Sequence, residues 1–270
     1  MTFGGWMKTR TYFLSFLVLS VLLASGCGQK SGTEPASSLE VSSPAKETTP
    51  AKPAFDPSTA GTLKGKVSFD GTAPAPRTIP IQGNPECAAF HPDGKISSEE
   101  LVVNEGGLQN VFVYIKEGLE GRHFDPPTDP VTIRNQKCAY VPHVSGVQVG
   151  QPVVLLNEDP TLHNVHSYSK TMKPWNLGLP FQGMKQVKKF ESAEVMVALK
   201  CDVHPWMIGY VGVLPHPYFA VTNFKGEFEI KNLPPGDYVV EALHEKLGAQ
   251  SQTIKIEPQA TKEAESKFSL

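Results

Sequence analysis

Val195-Met196-Val197-Ala198-Leu199-Lys200-Cys201-Asp202-Val203-His204-Pro205-Trp206-Met207-Ile208-Gly209-Tyr210-Val211-Gly212-Val213-Leu214 reads as an apolar run, a tight loop and a second apolar run. Short β-branched and apolar runs bounded by turn formers are the signature of strands. The loop therefore sets Cys201, His204 and Met207 together where two strands meet. The same pattern recurs outward from this stretch. Leu63 to Phe69 alternates and stops at Asp70-Gly71, and Val111 to Ile115 is a dense apolar run. Val147 to Val149 and Val153 to Leu156 flank Gly150 to Pro152. Phe224 to Ile230 reads as a hairpin with a Lys-Gly turn, and Tyr238 to Ala242 and Thr253 to Ile256 close the chain. Long helical periodicity and fixed-period repeats are missing. Many short strands at regular turn spacing predict an all-β, sandwich-type protein.

The loop brings a thiolate, an imidazole and a thioether into seven residues. Soft sulfur with imidazole suits copper, and two His with one Cys in a plane and a long axial Met is an electron-transfer arrangement. That set needs a second His. Asn157-Glu158-Asp159-Pro160-Thr161-Leu162-His163-Asn164-Val165-His166 leaves the strand at Val153 to Leu156 and supplies one. This segment resembles the first-ligand segment of the cupredoxins, and Cys201 to Met207 resembles the short ligand loop of their amicyanin branch. The resemblance covers roughly Val131 to Leu214. It implies an eight-stranded Greek-key sandwich and one type 1 copper held by His163, Cys201, His204 and Met207. It also implies that Asn164 ties the two ligand loops together, with Pro205 and Trp206 beside the metal. In the family the second His is the exposed electron port, so His204 is expected at the surface inside an apolar collar of Pro205, Trp206 and Leu162. A zinc site would want more Cys or His in a closed tetrahedron. His166 lies an odd number of strand positions after His163 and faces the other way, as a core or supporting residue. Met172 or Met184 would be the axial candidate if Met207 were not.

Asn232-Leu233-Pro234-Pro235-Gly236-Asp237-Tyr238 resembles a motif of carboxypeptidase regulatory-like (transthyretin-like) sandwich modules, and Leu63 to Gly71 resembles their opening strand. These two pieces flank the copper stretch. The expected organisation is a leader over 1–26, a linker over 27–60, and a β segment over 61–130 that is a candidate part of the module. A cupredoxin domain over 131–215 and the smaller module over 216–270 follow. One sandwich split by the copper domain and two sandwiches in series both remain open at this point.

Lys8 and Arg10, the apolar run from Tyr12 to Ala24 and the small residues before Cys27 have the form of a secretory signal. Leu23-Ala24-Ser25-Gly26-Cys27 resembles a lipoprotein processing site, which implies acylation of Cys27 and anchoring to the cell envelope. The residue after Cys27 is Gly28 rather than Asp, which by the same resemblance points to the outer membrane, facing the periplasm. The stretch from Gln29 to Ala60 is rich in Ser, Thr, Pro, Ala, Lys and Glu and is expected to be a disordered tether, roughly 30 Å end to end.

Without Lys8 and Arg10 the formal charge moves from −2 to −4, and no basic patch points to nucleic acid. In an oxidising compartment the spare Cys87 and Cys138 are expected to pair. The rival is a second metal site pairing His91 with Cys87 and His143 with Cys138. His123, His216 and His244 read as surface or packing residues. Trp175 and Leu177 to Phe181 are placed either over the copper end or in the core. The functional expectation is a one-electron carrier with a transient redox partner, not an enzyme. A copper-holding or copper-delivery lipoprotein is the alternative.

Overall fold

The structure is a computed structural model that describes residues 55–81 and 83–270. Cys27, the leader and the linker up to residue 54 lie outside the described residues. Residues 56–60, read above as linker, form a short 3-10 turn instead. Asp56 caps it by accepting the Ser58 N–H, and Thr59 accepts a backbone bond from Gln259.

Apart from that turn and a four-residue helix, Pro85–Ala88, the regular elements are strands. They form two sandwiches. In the first, Gly61–Phe69 pairs with Glu227–Leu233 on one side and in parallel with Thr261–Phe268 on the other. Against this sheet lies a second, ordered Phe219–Val221, Phe112–Glu117, Gly236–His244, Gly248–Ile256. Leu63, Val67, Leu108, Val113, Ile115, Tyr238, Val240 and Ile254 fill the space between them. Strands from both ends of the chain thus build one module, which residues 131–214 interrupt.

The interrupting stretch folds into nine strands. One sheet is ordered Lys185–Lys189, Pro152–Asn157, Val131–Gln136, Ala139–Val141. The other is ordered Asn176–Leu179, His163–Tyr168, Glu194–Lys200, Ile208–Leu214, Val144–Gln148. The expected number was eight. Each sheet contains one parallel pair, Val131–Gln136 with Pro152–Asn157 and Val144–Gln148 with Ile208–Leu214. Ile133, Tyr140, Leu155, Val165, Leu199 and Val211 form its core. The expected hairpin at Phe224 to Ile230 is different in detail. Phe224 is exposed, Asn223 Oδ1 accepts the N–H groups of Lys225 and Glu227, and this turn carries the chain from one sheet of the module to the other.

Glycine decides how the sandwiches join. Gly212 and Gly146 are register partners on neighbouring strands. A Cβ on Gly212 would sit 2.2 Å from the Phe112 ring, and one on Gly146 would sit 2.2 Å from Phe219. The two rings stack on each other with centroids 5.5 Å apart. Two bare backbones therefore make a flat seat for two aromatic rings of the module, in a third cluster with Tyr114, Val144 and Leu214. Gly212→Ala is expected to cost about 1–3 kcal/mol by overpacking. Urea unfolding of the variant beside the parent measures it, and an unchanged midpoint would show that the seat has slack.

Candidate metal centre

His163 opens its strand, and Cys201 follows the last residue of the neighbouring antiparallel strand, so both stand at one end of the five-stranded sheet. The loop from Cys201 closes by two backbone bonds, Met207 N–H to His204 O at 2.9 Å and Cys201 N–H to Met207 O at 3.2 Å. This tight turn swings His204 back over Cys201. The ring nitrogens His163 Nδ1 and His204 Nδ1 stand 3.0 Å apart, and Cys201 Sγ is 4.0 Å from the first and 3.6 Å from the second. A point equidistant from the three atoms is about 2.1 Å from each, within the ~2.0–2.3 Å range of bonds from a first-row ion to nitrogen and sulfur. These donors therefore fit a soft transition ion. Met207 is buried in the same core cluster as Cys201.

Supporting bonds fix each donor. Asn157 is fully buried; its Oδ1 accepts the Asp159 N–H, and its Nδ2 donates to the carbonyls of Thr161 and Leu179. This side-chain turn shapes the loop ahead of His163. Asp159 then accepts from the N–H groups of Lys137 and Cys138 at 2.6 and 2.8 Å, and lies 2.9 Å from His163 Nε2. Burial pushes the Asp159 carboxyl up, but these bonds outweigh it and hold it below the ordinary carboxylate range. Burial also pushes the Cys201 thiol up. Hydrogen bonding with the rings of His163 and His204, and with the backbone of Asn164 and His204, outweighs that and brings it down to about 6. A sulfur that ionises this readily is ready to act as a ligand.

Asn164 joins the two loops through its side chain. Its Oδ1 accepts the Asp202 N–H at 2.8 Å and the Cys201 thiol at 3.3 Å, and its Nδ2 donates to Asp202 and Asn176. From the opposite sheet, Tyr140 donates to the Asn164 carbonyl at 2.6 Å. His166 faces away from the three donors and contacts Asp202 at 3.2 Å. Trp206 lies with its ring 5.2 Å from His204 and donates to the Cys138 carbonyl. Trp175 and Leu177 pack against the core.

The expectation of an exposed His204 is overturned. His204 is 0% exposed, as is His163. The residues that cover it come from a segment with no role in the sequence reading of the site. Thr78–Pro80 and Lys95–Ser97 pair only with each other. Between them Pro85–Ala88 carries Cys87, which forms a disulfide with Cys138. Both sulfurs lie within 4.8 Å of a His204 ring nitrogen. Because the cysteines bond each other, the rival pairings with His91 and His143 do not assemble. His91 Nε2 contacts the Lys137 carbonyl, and His143 contacts Glu245 and Glu99. His123 is exposed, whereas His216 and His244 are buried packing residues. The roles of Asp159, Tyr140 and Asp202 were missed. Only Asp159 left a sequence signal, an Asn-x-Asp turn placing a carboxylate four residues before His163.

No protein-family model matches the chain, and no curated protein matches it. Among solved structures it is similar to a mutant of amicyanin in the Cu(I) form, with 24% identity, 31% of this chain, 81% of that chain and a TM-score of 0.28. A purple cupredoxin from Nitrosopumilus maritimus aligns with 26% identity over 31% of this chain and 98% of its own, at a TM-score of 0.27. A Cu-containing nitrite reductase from Thermus scotoductus SA-01 aligns with 21% identity over 36% of this chain and 24% of its own, at a TM-score of 0.27.

Asp159→Asn keeps the volume but turns an acceptor toward N–H groups into a donor. It is expected to cost about 1.5–3 kcal/mol, the scale of hydrogen bonds to a charged group. Asp202→Asn, at an exposed carboxylate whose charge is screened by solvent, is expected to cost much less. Guanidinium unfolding of the two variants side by side checks the ranking. Equal losses would deny Asp159 its central place.

Proposed function

We propose that this chain is a copper-binding lipoprotein of the cell envelope that passes single electrons. The observation that carries the reading is the triangle of His163 Nδ1, Cys201 Sγ and His204 Nδ1, set at metal-bonding spacing before any ion is added. Copper bound there supplies a one-electron Cu(I)/Cu(II) couple. The protein's part is to hold three strong donors still. Met207 stands as the weak fourth, the arrangement in which the axial ligand tunes the potential. Two sulfurs and two imidazoles favour copper over a closed zinc site. His163, Cys201 and His204 are buried, which favours a relay over a catalytic centre. The exposed apolar residues next in sequence to ligands, Leu162 and Val203, take the place of His204 as the contact for a transient redox partner. Cys27 carries the lipid anchor to the periplasmic face of the outer membrane, and the linker tethers the folded part.

Full burial of His204 favours a second reading, in which the site holds or delivers copper and exchanges electrons slowly. Electron exchange with small redox reagents separates the two: fast, reversible cycling supports the relay, and sluggish cycling supports storage.

Cys201→Ser is expected to abolish the intense blue thiolate-to-copper absorption while the sandwich stays folded. Met207→Leu is expected to keep the colour and raise the potential, since the lost thioether stabilises oxidised copper more than reduced. His163→Ala opens a strong position and is expected to disrupt the spectrum outright. Visible spectra and voltammetry of the three variants test the assignment, and an unchanged blue band in Cys201→Ser removes it.

Cys27→Ala is expected to move the protein from the membrane fraction to the soluble fraction and leave copper binding unaltered. Sedimentation with membranes after a high-salt wash would place the anchor elsewhere.

A further inference from the structure

Cys87 and Cys138 stand beside His204. A His204 ring nitrogen and the two sulfurs are within 4.8 Å of one another, and Cys138 Sγ is equally close to donors of His163 and Asp159. His204 Nδ1 faces Cys201 and His163. Its other nitrogen, Nε2, is fully buried and has no hydrogen-bond partner. A buried ring nitrogen with no partner is costly, and the ring it belongs to is grouped with these sulfurs. Asp159 is already engaged by three N–H groups, so the donors left at this place are soft ones. A cleft of about 460 Å³ reaches it from solvent, with Ile96, Ser97, Cys138, Trp206 and Met207 among its walls. Cys87 sits on a segment whose two strands bond only to each other, so the sulfurs are able to part without unravelling either sandwich.

We propose that Cys87 and Cys138, in their dithiol form, are a second soft-metal site that takes Cu(I), with His204 Nε2 as the third donor. The site is an entry station beside the inner set of His163, Cys201 and His204, and so rests on the copper reading above. The switch between forms is a thiol–disulfide exchange with a dithiol reductant. The reductant's thiolate attacks one sulfur, giving a mixed disulfide, and its second thiol then closes its own disulfide. The Cys87–Cys138 bond breaks, the reductant's S–S bond forms, and two electrons and two protons pass to Cys87 and Cys138. Cu(I) then displaces the two thiol protons and, because Nδ1 of His204 serves the inner ion, the Nε2 proton as well, so that the ring bridges the two ions as an imidazolate. Thiolates select Cu(I) among available ions, and the Cα atoms, 5.7 Å apart, keep both sulfurs within reach of one ion. Once Cu(I) has passed inward, the reverse exchange with a disulfide oxidant, which takes up the two electrons and two protons, reforms the Cys87–Cys138 bond and leaves the inner set covered.

The test uses the full chain with Cys27→Ala, so that the disulfide form has one free thiol and the dithiol form three. Both forms are titrated with Cu(I) without oxygen, against a chromophoric Cu(I) chelator, after the thiols have been counted. The disulfide form is expected to bind one equivalent and the dithiol form two. Cys87→Ser/Cys138→Ser is expected to bind one whatever the reductant. Reduction and reoxidation of the unmutated pair gives the same comparison should that double variant fail to fold. One equivalent at unchanged affinity in a form with three titrated thiols overturns the proposal. No binding by the disulfide form would overturn the inner copper site instead, and the increment on reduction is read independently of it.

Discussion

The carboxylate of Asp159 holds three parts of the site at once. It accepts the N–H groups of Lys137 and Cys138 and faces Nε2 of His163. The bond to His163 assigns that ring's hydrogen to Nε2 and leaves the Nδ1 lone pair facing Cys201 and His204. Hydrogen bonds of this kind, behind a ligand, set both the tautomer and the aim of an imidazole. The bonds to residues 137 and 138 fix the turn that presents Cys138 to Cys87. One buried charge thus couples the first donor to the covering segment, and desolvation makes the arrangement all-or-none. Three hydrogen bonds offset the burial of the carboxylate, and losing one leaves a poorly solvated anion.

The second constraint is the loop from Cys201 to Met207. Its two backbone bonds spend few residues, so His204 folds back within 3.6 Å of the Cys201 sulfur and the cluster is compact. Asn164 then clamps this loop to the strand of His163 by bonding both Asp202 N–H and the Cys201 thiol. Tyr140 braces the clamp from the opposite sheet. The donors stand at metal-bonding distance because two strands, one loop and one tyrosine each remove a freedom. An ion arriving there has little left to reorganise.

The module built from the chain's two ends does more than flank the site. It seats Phe112 and Phe219 on Gly146 and Gly212, fixing the inserted sandwich against it. Between the module's first strands the chain makes the excursion that carries Cys87 over His204. The cover and the metal end therefore belong to different stretches of sequence that meet only in the tertiary structure. This turns a histidine expected at the surface into a fully buried one, while Leu162 and Val203 beside the ligand loops stay exposed.

Residue types and spacings alone determined the all-β class and singled out the loop with Cys201, His204 and Met207, and the resemblance to cupredoxin ligand segments added His163 to the candidates. Strand signals and ligand loops are local, so Cys201, His204 and Met207 within seven residues, and His163 after an Asn-x-Asp turn, are legible without a fold. The pairing of Cys87 with Cys138 was readable as a consequence of compartment and count, but not its place over His204. Where Asp159, Tyr140 and Asp202 act was not readable either, because a carboxylate or a phenol takes its role from what surrounds it. Residues 61–69 and 261–268 run in parallel as neighbours in one sheet, a pairing across the whole described chain that no local pattern encodes. Burial, too, was the tertiary structure's decision: His204 is covered by a segment whose Cys87 lies 117 residues away in sequence from its own position, and no local pattern brings the two together.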